Sequence, residues 1–148
     1  MIVCGVELTG SDAVVCLLNR DRGQFNLPEC KVRKVSLPKN HSRDDLKQFQ
    51  MAFAELMAEY GVTSVAIKER MQKGRFAGGA ISFKMEAAIQ LINSAELTVT
   101  LLSSQLIKST LASNPLPIAF ADTGLKAFQE AAFIAAYVGQ LQSGARSN

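Results

Sequence analysis

Val62-Thr63-Ser64-Val65-Ala66-Ile67-Lys68-Glu69 stands between a helical pattern and a basic, glycine-containing loop. A β-rich run that is apolar nearly throughout, and is flanked by helices, reads as a strand buried on both faces and so central in its sheet. Upstream, Ser42 with Asp45 three residues later forms a capping-box variant. Leu46, Phe49, Phe53, Leu56, Met57 and Tyr60 then recur at helical spacing, and Gly61 supplies the stop. Downstream, a second helix is expected from about Gly79 to Ile92, with Ile81, Met85, Ala88, Ile89 and Ile92 on one face. Leu97 to Leu102 reads as another strand, followed by a short helical piece near Ser104 to Leu111. Pro115 and Pro117 break the chain, and a last helix is expected from near Thr123 to about Gln140.

The amino-terminal third is strand-rich. Residues 2–8 and 13–19 are joined by Thr9-Gly10-Ser11-Asp12, a good turn sequence, and so predict a hairpin. After the polar loop Asp21-Arg22-Gly23-Gln24 comes a third run, Cys30 to Leu37, whose alternation breaks at Arg33-Lys34 as at a bulge. The order β-β-β-α-β-α-β-α implies an α/β fold: three layers, a mixed five-stranded sheet and helices on both faces. No linker or repeat divides residues 1–148, so one domain is expected, with residues 142–148 as a flexible polar tail.

Composition narrows the function classes. A chain of 148 residues, 48% hydrophobic and 20% charged, is no disordered tail. It buries roughly 70% of its unfolded surface if it folds as one unit. No apolar stretch approaches the ~20 residues of a membrane span. The start, Met1-Ile2-Val3-Cys4, lacks a basic region and its apolar run is broken by Glu7. That predicts a cytoplasmic protein. Cys4, Cys16 and Cys30 show no C-x-x-C spacing and read as reduced thiols in strands.

Net charge is +3, unevenly spread. Arg20, Arg22, Lys31, Arg33, Lys34, Lys39 and Arg43 face only Asp21 and Glu29 in the same stretch, and Lys68, Arg70, Lys73 and Arg75 make a second group. Such patches suit a phosphate backbone. Equally, Lys and Arg protect an exposed sheet edge from pairing. Arg33, Lys34, Arg70, Lys73 and Arg75 are the candidate nucleic-acid contacts, with Gly74, Gly78 and Gly79 allowing close backbone approach. No Gly-Lys-Ser/Thr is present, so the loop is not of the Walker type. His41 precedes the helix cap and reads as a surface residue, and Ser103-Ser104 has no acid-base signature beside it.

Three acids lie in or beside apolar elements: Glu7 in the first strand, Glu69 closing the central strand, and Glu130 in the segment Leu125 to Val138. A carboxylate there must be paired, hydrogen-bonded or metal-bound, because desolvation disfavours its charge. One cation-binding cluster is one answer; pairing with nearby Arg or Lys (for Glu130, Lys126) is the other. Asp12 and Asp122 read as a turn residue and a helix-start residue.

The same segments resemble the RuvC-type resolvase branch of the ribonuclease H-like superfamily. Gly5-Val6-Glu7-Leu8-Thr9-Gly10-Ser11 resembles its strand-acid-turn start, and Val65-Ala66-Ile67-Lys68-Glu69 its acid-terminated fourth strand. Lys73 to Ile81 resembles the following loop and helix start, and Gln129 to Ala136 the acid-bearing final helix. The chain as a whole also resembles a small bacterial family whose members carry no assigned function.

The resemblance implies that Glu7, Glu69 and Glu130 are both metal ligands and catalytic groups. They would hold Mg2+ or Mn2+ for phosphodiester hydrolysis, with two ions about 4 Å apart activating water and stabilising the leaving oxygen. Departures set this chain apart. Glu replaces the usual Asp on the first strand and the last helix, moving each carboxylate by about one C–C bond, ~1.5 Å. Ala127 stands where a further acid is common, and Gln72 replaces an aromatic. A non-catalytic module of the same fold, binding nucleic acid or a protein partner, is therefore the alternative. An actin-like nucleotide-binding fragment is disfavoured, because such folds need two related domains. Exposed apolar helix faces leave room for a homodimer, with no heptad seam to mark its interface.

Overall fold

A computed structural model describes residues 1–74 and 78–146. The predicted hairpin is formed by β1 (Ile2–Thr9) and β2 (Asp12–Asp21), in antiparallel register from Ile2↔Asn19 to Thr9↔Asp12. Gly10 turns it at φ +60°, a conformation that only glycine adopts without strain.

The expected third strand, Cys30 to Leu37, shortens to three residues, and a further short strand that was not expected precedes it. Arg22 and Gly23, both at positive φ, reverse the chain at once, so that β3 (Gln24–Asn26) pairs with residues 19–21 of β2. Pro28 cannot donate to a ladder, and the chain leaves the sheet until β4 (Lys34–Ser36) pairs with residues 12–14 at the other end of β2. Where a bulge was expected at Arg33-Lys34, β4 begins, with the Val15 N–H donating to the Arg33 carbonyl at 2.9 Å.

Among the described residues the sheet therefore has six strands. Its order is β3-β2-β1-β5-β6, with β4 also on β2; β5 is Val62–Lys68 and β6 is Thr98–Leu102. Both β1–β5 and β5–β6 pair in parallel, which puts β5 between partners on either side.

Helices cover both faces. α1 (Arg43–Glu59) starts with the full capping box: Ser42 Oγ accepts from the Asp45 N–H, and the Asp45 carboxylate accepts from the Ser42 N–H. α2 (Ala80–Gln90) follows Gly79 as N-cap. Phe49, Phe53, Leu56, Met85 and Ile89 from these helices pack on Cys4, Val6, Leu8, Val65 and Ile67. The opposite face holds α3 (Ser104–Ser113) and α4 (Glu130–Arg146), where Leu106, Ile107, Ala135 and Val138 meet Val3, Ala66 and Leu102. Among the described residues, no helix is long and apolar enough to cross a membrane.

The last helix departs from expectation at both ends. It starts at Glu130 rather than near Thr123, after two 3-10 turns, Phe120–Asp122 and Ala127–Gln129. Asp122 belongs to the first of these turns. The physical reason lies in Gly124, at φ +75°, and in buried Gln129. The Gln129 amide accepts from the Lys126 N–H at 3.0 Å and donates to the Val15 carbonyl at 3.0 Å, fixing the helix start against β2. At its other end α4 continues past Gln140 to Arg146. Of the expected tail, 142–146 are thus helical, and 147–148 lie outside the described residues.

α4 runs antiparallel to β1 and almost touches it. A Cβ on Gly5 would lie 1.9 Å from the Ala132 carbonyl oxygen, and one on Gly139 would lie 2.7 Å from the Ala66 Cβ. Buried Gln140 donates to the carbonyls of Leu18 (2.7 Å) and Met1 (2.8 Å), tying the far end of the helix to the start of the sheet. Gly5→Ala is expected to lower the urea-unfolding free energy by about 3 kcal/mol or more, since backbone rather than a flexible side chain must move. Ser42→Ala removes one half of the α1 capping box and should cost about 1 kcal/mol in the same measurement.

Candidate functional site at the carboxyl end of the central strands

Strand register gathers the sequence-predicted residues at one end of the sheet. Glu7 pairs with Val14 and Val14 with Lys34, so Lys34, Val14 and Glu7 form a row across β4, β2 and β1. On the other side the β1–β5 register ends at Val6↔Ile67, which sets Lys68 beside Glu7, and Lys68 pairs with Leu102. Paired residues share a face. Val14 and Leu102 pack against the α4 side, so Glu7 and Lys68 project to that side as well.

The start of α4 lies over this row. Glu130, its first residue, lines a cavity of about 220 Å3 together with Lys68, Ile107, Leu111, Ala131 and Ile134. Glu7 is half-buried, whereas Glu130 is exposed at the helix start, so it is not the acid inside an apolar helix that the sequence suggested. A carboxylate in the first turn also meets the positive end of the helix dipole.

Glu69 goes elsewhere. Side chains alternate along a strand, and Val65 and Ile67 face α1 and α2 while Ala66 faces α4. Continuing that alternation gives the α4 side to Lys68 and the opposite side to Glu69. Two hydrogen bonds hold the backbone in this register: the Glu69 N–H donates to the Leu102 carbonyl (2.8 Å), and Arg70 Nη1 donates to the Lys68 carbonyl (3.2 Å). Glu69 itself is exposed.

Carboxylate oxygens are the donors that Mg2+ and Mn2+ prefer, so the chemistry of Glu7, Glu69 and Glu130 suits such ions. Their placement does not. Among the described residues, no three His, Cys, Asp or Glu side chains are grouped so as to hold one metal ion. The acids from β1 and α4 share an end and a face of the sheet, while the acid following β5 is displaced by one residue.

The basic residues divide into two kinds. Arg70 is engaged internally rather than as a phosphate clamp. Its guanidinium donates to Glu86 Oε1 (3.0 Å), to Ser82 Oγ (3.1 Å) and to the Lys68 carbonyl, and stacks 4.6 Å from the centre of the Phe83 ring. Only 11% of that side chain is exposed. Arg33, Lys34 and Lys73 are exposed. Lys34 lies 3.7 Å from Asp12, a contact that solvent weakens, since the lysine side chain is 53% exposed. Lys73 and Gly74, at φ +97°, belong to a loop closed at its base by the Gly78 N–H donating to the Met71 carbonyl at 2.8 Å. Arg75 lies outside the described residues.

The cysteines stand apart from this site. All three are free thiols, and burial pushes Cys4 up and Cys16 up to about 12, so neither supplies a thiolate near neutrality. Lys68 is the residue that motif reading passed over, though counting by twos from Ala66 would have found it. Arg70→Met should lower stability by about 1–3 kcal/mol, the range for hydrogen bonds to a charged group.

A family profile described as "Protein of unknown function (DUF3010)" matches residues 1–139. No curated protein matches the sequence. Among solved structures, Thermus thermophilus RuvC superimposes with a TM-score of 0.75 at 11% identity, covering 99% of this chain and 97% of that one. The T. thermophilus RuvC complex with a Holliday junction substrate gives 0.71 at 10% identity, covering 99% and 96%. A Fowlpox virus resolvase bound to Holliday junction DNA gives 0.54 at 14% identity, covering 100% of both chains. At such identities the likeness is one of fold: this chain has the RuvC-type, ribonuclease H-like fold.

Proposed function

We propose that this chain, which belongs to the DUF3010 family of proteins of unknown function, is a nucleic-acid-binding module of RuvC-like fold. Its contact surface is the carboxyl end of β1 and β5. The observation that carries this reading is that exposed Lys34, through Val14, and half-buried Lys68 flank Glu7 in one row at that end, with exposed Arg33 next to Lys34 in the chain and exposed Lys73 in the segment that follows β5. Ligands of open α/β sheets bind at the carboxyl ends of strands, where loops diverge. Two of the similar structures were solved with Holliday junction DNA, which makes a branched duplex the first ligand to try.

Anisotropy titrations against single-stranded, duplex and four-way DNA and against RNA test the reading. Binding should weaken steeply with salt, by a slope of about 0.9 in log K per phosphate contacted. Lys34→Ala and Lys73→Ala should each lower that slope by about 1, across all sequences alike. No binding to any of these ligands at low salt sinks the proposal.

The shared end and face of Glu7 and Glu130 favour a second reading, hydrolysis of phosphodiesters by Glu7, Glu69 and Glu130 with Mg2+ or Mn2+. It needs Glu69 turned toward the α4 side. Incubation of the same substrates with either ion separates the two readings. The binding module leaves them intact, whereas cleavage lost in Glu69→Gln establishes the hydrolase.

A further inference from the structure

We infer that Lys68 takes the role of a divalent cation in this site, so that Glu7 and Glu130 are balanced by a side chain of the protein and no metal is required to receive a phosphate. The inference rests on the binding-module reading above and names the chemistry of its centre.

Three observations converge on it. Lys68 follows Ile67 on β5 and so lies beside Glu7, one step past the registered Val6↔Ile67 pair. It also lines the small cavity that contains Glu130. Its backbone is fixed from both sides, by the Glu69 N–H bond to Leu102 and the Arg70 guanidinium bond to its own carbonyl. Arg70 is in turn held by Glu86 and Ser82. A one-residue slip that would present Glu69 in place of Lys68 must break this set of bonds. The pair Arg70–Glu86 therefore acts as a register lock for the lysine.

The electrostatics follow. Carboxylates at one end and face of the sheet raise the local negative potential, and an ammonium that lines the Glu130 cavity and sits on the strand beside Glu7 offsets it as an ion would. The ammonium then repels an incoming dication, and one carboxylate fewer is available to ligate it. What the lysine does favour is a phosphate oxygen, to which it presents three donors from a compact charge.

Thermal unfolding in Mg2+ and in Mn2+, with chelator as the reference and no nucleic acid present, tests this on the full chain. Wild type should show no metal-dependent shift. Lys68→Glu restores a third carboxylate on the same face and should rise by roughly 3–6 °C in Mn2+ at tenfold excess over a ~1 mM dissociation constant. Lys68→Gln, which only removes the positive charge, should rise by less, in the same direction. A wild-type shift as large as that of Lys68→Glu overturns the inference. So does a Lys68→Glu protein with a native circular-dichroism spectrum and no shift, or, should that variant not fold, a folded Lys68→Gln with none. Because these measurements contain no nucleic acid, a failure of the binding reading is seen separately, in the titrations alone.

Discussion

The structure depends on one close approach, that of α4 to β1. Gly5 and Gly139 let the helix backbone and the sheet come nearer than any side chain permits, with Ala132, Ala135 and Ala136 in the same interface. Small residues alone would allow sliding. Gln129 and Gln140 remove that freedom, because each buried amide donates to a β2 carbonyl and an unpaired buried amide is costly. Contact at this distance fixes the height of α4 along the sheet. It thereby sets Glu130 level with the carboxyl ends of β1 and β5.

The geometry at that end follows from strand parity. In parallel strands side by side, a step of one residue exchanges the two faces of the sheet. The chain after Ile67 carries a lysine and then a glutamate, and register gives the α4 face to the lysine. The difference between a three-carboxylate pocket and two carboxylates with a lysine is thus a single position. Arg70 holds that position through the Lys68 carbonyl, so a residue that resembled a ligand contact has a structural role.

How legible this was varies by element. The capping box at Ser42 and the helically spaced apolar run from Leu46 to Tyr60 announced α1 to within a residue, because capping and periodicity are local. The hairpin and the central position of β5 were equally plain. The extra strand β3 was hidden, since Arg22 at positive φ is an uncommon choice that no propensity suggests. The late start of α4 was hidden too, because it depends on Gln129 finding the Val15 carbonyl across the fold.

Local chemistry in the chain was enough to determine the α/β class, the order of the elements from α1 to β6, the capping box of α1 and the set of acids and bases worth testing. Tertiary structure alone decided which of them meet. Register, helix height and the commitment of Arg70 to Glu86 are set by contacts between residues far apart in sequence. No local rule orders those contacts. The physical reason is that periodicity tells a side chain which face it shares with its neighbours, while only packing says which face of the sheet that is.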